Sequence, residues 1–256
     1  MQVNGSVSGP CLRAPCQGCD RQSAENFAVT TGTPGITTSC VVVFAVVAGL
    51  VASHWPVLLA GDQAAEGALH GEVLAQHWLL VAARTATTLG SPVVVDAVTT
   101  VVVVMLLALR WWPAAVVALA RVSELVCESV VKVLVARPRP VRVDPVASAS
   151  GSGFPSGHAG GSAAGYGALV LVLAGLAGGA RWARVMLVRG AALLIGAVAV
   201  SRVLLGVHYP SDVAAGVASG ACLGERRRAA GRPAAQRPVP DFGLKSICPP
   251  QGLSNE

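Results

Sequence analysis

Ser201-Arg202-Val203-Leu204-Leu205-Gly206-Val207-His208-Tyr209-Pro210-Ser211-Asp212 sets an arginine, a histidine and a carboxylate into an otherwise apolar stretch. Charged groups are expensive in hydrocarbon, and a chain that keeps them there usually uses them. Proline suits the first turn of a helix, where its missing N–H is not needed. A helix is therefore expected to begin at Pro210, with Asp212 in its first turn and His208 just outside it. The two side chains can then meet. A carboxylate on one imidazole nitrogen fixes the tautomer and leaves the other free to attack or to take a proton. Standing alone, the same residues also read as a histidine and an aspartate that cap a helix at a membrane surface.

Outward from this stretch the composition decides the class. Of 256 residues, 53% are hydrophobic and 12% charged, and the mean hydropathy is +0.62. A soluble domain carries about twice that share of charge. The fold expected is all-α, a polytopic integral membrane helix bundle, because several windows reach the roughly 20 apolar residues that a spanning helix needs. The formal net charge of +6 does not point to nucleic acid, since the basic residues form no patch with interleaved aromatics. No obligate protein partner is evident. Cys40, Cys127 and Cys222 lie in apolar segments and read as small core residues. Cys11, Cys16 and Cys19 lack an obvious fourth metal ligand and stay unassigned.

Six transmembrane helices are expected within residues 37–224, between a disordered tail over 1–36 and a disordered basic tail over 225–256. The spans run at about Thr37 to Leu59, Pro92 to Leu109, Ala114 to Ala136, Phe154 to Ala177, Ala183 to Leu205 and Pro210 to Gly224. The first acts as an uncleaved signal-anchor. Residues 62–90 read as an extramembrane loop with one or two interfacial helices, and Trp111 and Trp112 suit the headgroup level. The third span carries Arg121, Glu124, Glu128 and Lys132; steps of three, four and four place them on one face, which must look into the bundle. Small residues from Gly160 to Gly165 let the fourth span approach its neighbours closely. Counting Lys and Arg in the loops puts both termini in the cytoplasm and the polar motifs at the extracytoplasmic face.

The outer ends of spans three to six thus gather Lys132, Arg139, Ser156, Gly157, His158, Arg202, His208 and Asp212. Three cations and a helix N-terminus suit an anion, and two histidines add phosphoryl-transfer chemistry. Lys132 with six residues before Arg139-Pro140, then Pro155-Ser156-Gly157-His158, then Ser201-Arg202 with five residues before His208 and three more before Asp212, resemble the three-part signature of the type 2 phosphatidic acid phosphatase superfamily. That superfamily includes undecaprenyl pyrophosphate phosphatases, and the resemblance covers roughly residues 60–224. It implies that His208 is the nucleophile forming a phosphohistidine, that Asp212 orients its ring, and that His158 protonates the leaving oxygen and then helps water attack. It further implies that Lys132, Arg139, Ser156, Gly157 and Arg202 bind the phosphoryl oxygens.

The function expected is metal-independent, cofactor-free hydrolysis of a membrane lipid phosphate or diphosphate at the outer face of the cell membrane. The alternatives are a phosphatase of a soluble phosphoester and, from another class, a lipid or anion transporter that uses the same polar cluster. Glu128, one turn before Lys132, either positions that lysine or is a structural polar residue. His54, His70 and His77 read as surface or interface residues. Arg137 and Arg142 read as headgroup contacts or solvated charges, and Tyr209 as an interfacial aromatic.

Overall fold

The computed structural model describes residues 34–108, 113–142, 146–176 and 181–230. These form eight helices and, among the described residues, no strand. They are α1 (Pro34–Ala52), α2 (Pro56–Ala75), α3 (His77–Leu89), α4 (Pro92–Ala108), α5 (Pro113–Val135), α6 (Gly157–Leu176), α7 (Arg181–Leu204) and α8 (Pro210–Ala230). Five of the eight start at proline, whose fixed φ is already helical and whose missing N–H has no helical partner to lose. The N-terminal cysteine cluster, the Trp111-Trp112 turn and most of both tails lie outside the described residues.

The expected first span is broken. Trp55 N–H donates to Leu50 O at 3.0 Å and His54 N–H to Val51 O at 3.1 Å, with His54 left-handed at φ 53°, which is a Schellman ending of α1. Pro56 cannot continue the ladder, and α2 leaves at 99° to α1. Residues 62–90, expected as an extramembrane loop with one or two interfacial helices, are helical in α2 and α3, and the correction is that both pack on α7 and that Asp62, Glu66 and His70 of α2 are buried. Their spacing of four puts them on one inward face. α3 runs into α4 through a 43° bend, where the Leu89 carbonyl accepts a hydrogen bond from Tyr166 Oη. At the other end, α8 continues past Gly224 to Ala230, so the start of the expected disordered tail is helical.

α6 and α8 form the centre, with α1, α5 and α7 around them. Gly216 and Gly220 of α8 sit against the backbone of α6: a Cβ on Gly220 would overlap the Gly160 carbonyl oxygen. The charged face of α5 also meets glycine. Arg121 lies over Gly161, Glu124 over Gly160 and Glu128 over Gly157, so each long polar side chain lies where α6 offers no side chain of its own. Arg121 pairs with Asp96 of α4, and fully buried Glu124 accepts from Ser219 of α8. Exposure is inverted relative to a soluble protein. Val42 and Val46 on α1, Val101 and Met105 on α4, Val126 and Val133 on α5 and Leu193 on α7 are exposed, while Asp62, Glu66, Arg121 and Arg202 are buried. Such a surface suits lipid and not water. Among the described residues, α7 is long and apolar enough to span a membrane alone, and the bent pairs α1–α2 and α3–α4 qualify if each counts as one span.

Candidate active site

Local geometry explains how each polar side chain reaches one end of the bundle. α7 ends in a Schellman motif, with Gly206 N–H donating to Val203 O at 2.9 Å and Val207 N–H to Arg202 O at 3.2 Å. Gly206 sits at φ 68°, and a Cβ there would lie 2.9 Å from His70 Nδ1, so glycine is required both conformationally and sterically. The turn then delivers His208, which is 1% exposed, to the site. α8 begins with half of a capping box: Asp212 Oδ2 accepts the Tyr209 N–H at 2.9 Å, which fixes the carboxylate at the helix start.

His208 Nδ1 lies 3.5 Å from Asp212 Oδ2, and Nε2 lies 2.8 Å from Arg139 Nη1. A guanidinium can only donate, so Nε2 is the acceptor and the neutral ring carries its proton on Nδ1, towards Asp212. Burial pushes the His208 pKa down to about 4; Arg139 and Arg202 act in the same direction, and Asp212 opposes them. The ring is therefore neutral at neutral pH.

The other motif residues converge here. Arg202, His208, Arg139 and Lys132 all lie within electrostatic range of His158, in the first turn of α6. Arg202 is buried, with Nη1 donating to Thr87 Oγ1 at 2.6 Å and Nε without a protein partner. Ser156 Oγ is likewise buried and unpartnered, immediately before the free N–H groups of the first turn of α6. Burying such donors unpaired is costly, and a ring of them suits a ligand rich in acceptor oxygens. Lys132, in the last turn of α5, pairs with Glu128, whose carboxylate overlies Gly157.

Arg139 carries a load that the motif does not foretell. All its N–H groups are engaged: Nε to Gly151 O, Nη1 to Val207 O and His208 Nε2, and Nη2 to Ser150 O and Ser152 O. It ties the 150–152 loop to the turn that presents His208, and burial lowers its pKa. That loop is anchored beyond Arg139 by Phe154, fully buried against Val51 and Ala215.

Three sequence expectations are corrected at this site. Arg137 is not a solvated charge: it is 7% exposed, paired with Asp62 at 2.7 Å and with Asp212 at 2.6 Å. Arg142 pairs with buried Glu66. His70 is buried, its Nδ1 2.9 Å from Leu204 O, whereas His54 and His77 are exposed as expected. Tyr209 packs its ring on Arg137, 4.4 Å from Cζ to the centroid. The spacing of four in Asp62, Glu66 and His70 was the available signal. It was masked because the segment also holds Gln63, Glu72 and Gln76 and reads as mixed.

The PAP2 superfamily model matches residues 111–225, the segment that holds all three motifs. Residues of this chain are 66% identical over 32 positions to the decaprenylphosphoryl-5-phosphoribose phosphatase of Mycobacterium tuberculosis, in two strains; the match spans 12% of this chain and 18% of those relatives. The fold is similar to that of the first transmembrane PAP2 type phosphatidylglycerolphosphate phosphatase from Bacillus subtilis, with TM-score 0.69 at 24% identity over 75% of this chain and 94% of that one. It is also similar to Aquifex aeolicus LpxE, with TM-score 0.51 at 20% identity over 68% of this chain and 96% of that one. A membrane-type helix bundle and three motifs drawn to one end of it agree with the family match: the segment over residues 111–225, which bears all three motifs, matches the PAP2 superfamily.

Proposed function

We propose that this chain is a metal-independent membrane phosphatase that hydrolyses a lipid phosphate or diphosphate through a phosphohistidine on His208. The observation that carries the reading is the His208 environment. The ring is neutral and its proton is on Nδ1 facing Asp212. Nε2 faces Arg139, and His208 lies with Arg139, Arg202 and Lys132 within electrostatic range of His158. In the first step the Nε2 lone pair attacks phosphorus, an N–P bond forms, and the P–O bond to the leaving group breaks. His158, protonated when the phosphate anion binds beside it, gives its proton to the departing oxygen. In the second step water attacks phosphorus, His158 takes a proton from it, the N–P bond breaks and inorganic phosphate leaves. Fixed cations and helix N–H groups stabilise the charge on the equatorial oxygens throughout, which is most of what phosphoryl transfer requires. Phosphate binding shifts Arg139 contacts from Nε2 to a phosphoryl oxygen, and Glu128 holds Lys132 ready beside the first turn of α6.

Six spans, cytoplasmic termini and a site at the extracytoplasmic face complete the proposal, on the strength of the Lys and Arg placement. The short match to the Mycobacterium phosphatase favours a polyprenyl-phosphosugar headgroup, and the Bacillus fold relative adds phosphatidylglycerolphosphate to the panel. The test is phosphate release from these lipids by protein reconstituted into vesicles of known orientation, with chelator present. Release is expected for substrate on the extracytoplasmic side, and His208→Ala is expected to lose at least about 10⁴-fold. Release unaffected by His208→Ala would overturn the assignment, and release only from cytoplasmic-side substrate would overturn the orientation.

A further inference from the structure

Beneath the motif residues lies a buried ionic group in which Arg137, Asp62 and Ser211, none of them a signature residue of the three motifs, enclose the motif carboxylate of Asp212. Arg137 Nη1 donates to Asp212 Oδ1 at 2.6 Å and to Ser211 Oγ at 2.7 Å, and Nη2 donates to Asp62 Oδ2 at 2.7 Å. Asp62 in turn accepts the Ser211 N–H at 3.0 Å and the Ser211 hydroxyl. One guanidinium thus bridges α2 and the first turn of α8, with the Tyr209 ring closing one face.

We infer that Arg137, clamped by Asp62, is a positioning residue that holds the Asp212 carboxylate in the orientation in which it aligns His208. The inference rests on the hydrolytic role of His208 proposed above. Two observations carry it. Asp212 is fully buried, and with Oδ1 on Arg137 and Oδ2 on the Tyr209 N–H its carboxylate cannot rotate without losing a bond. Ala136 occupies the left-handed region at φ 46°, an unfavourable conformation for alanine, and that turn ends α5 immediately before Arg137. Stability alone is a poor reason to keep such a group, because buried ion pairs frequently contribute less than the apolar packing that could replace them. Two carboxylates and one guanidinium leave one formal negative charge, and the side of it that Arg137 does not neutralise faces His208 Nδ1.

The test compares purified Arg137→Lys, Arg137→Gln and Asp62→Asn with wild type and His208→Ala. Lysine keeps the charge but cannot fork to Asp62, Ser211 and Asp212 together. Losing a partner that orients a functional group is expected to lower kcat by about 10- to 100-fold in Arg137→Lys and Arg137→Gln, and by about tenfold in Asp62→Asn. KM and the inhibition constant of inorganic phosphate are expected to stay within about threefold, because the phosphate cations are untouched. Wild-type kcat in folded Arg137 variants would overturn the inference, as would a KM and phosphate constant that rise as far as kcat falls. If the Arg137 variants do not fold, Asp62→Asn decides on the same criteria. Activity retained by His208→Ala would instead overturn the underlying reading, and this inference with it.

Discussion

His208 differs from a solvated histidine in two respects, a ring that stays neutral well below the ordinary imidazole value and an Nε2 lone pair that faces the Arg139 guanidinium. Burial and the charges of Arg139 and Arg202 hold its pKa down to about 4, against the pull of Asp212. In the proposed mechanism the nucleophile must be unprotonated, so activity is expected to be lost as pH falls through that value and not through the ordinary imidazole value of about 6.5. The acid limb of kcat/KM is expected to fall towards about pH 4, with no loss between about pH 7 and pH 5. An acid limb of the wild-type enzyme centred near about 6.5 would contradict the buried, neutral ring. At this scale the motif residues were legible because fixed spacing links residue type to chemistry. Arg137 and Asp62 were not. Arg137 lies between Ala136 and Pro138 and is indistinguishable by type from a headgroup contact, and its partner is 75 residues away.

Helix ends show what local sequence controls. Pro92 and Pro210 start helices where expected, α5 starts at Pro113, one residue before the expected Ala114, and α5 and α7 end within a residue of their anticipated limits, because proline and glycine act on the backbone they occupy. The first span failed since Thr37 to Leu59 is apolar on both sides of the break, and the Schellman ending at His54 uses a residue with no strong turn signal. Close helix approach was legible on α6 from its small residues, while its counterpart on α8, Gly216 and Gly220, went unread beside the short length of that segment. That contact carries a prediction. A methyl group on Gly220 meets the Gly160 carbonyl oxygen, which is backbone and cannot turn aside, so Gly220→Ala is expected to cost about 1–3 kcal/mol. A lowered melting temperature in detergent would register it; an unchanged melting temperature would contradict the α6–α8 packing described here.

The described residues are organised inside out, with valine and leucine facing outwards and several groups of ionisable side chains within. Composition announced that organisation, but composition cannot say which polar residues of a mixed segment turn inward. α2 was misread for that reason: Asp62, Glu66 and His70 face α7, α8 and the loop after α5, and only the tertiary contacts reveal it. The same assembly brings residues as distant as Lys132 and His208 around His158, and on it rests the proposal of a covalent intermediate. The most direct measurement is a rapid quench of purified protein with lipid carrying radiolabelled phosphate, followed by peptide mapping. The account predicts a label that is stable in alkali, lost in acid, mapped to His208 and absent from His208→Ala. Turnover at the normal rate with no label on His208, or a label that persists in His208→Ala, would contradict it.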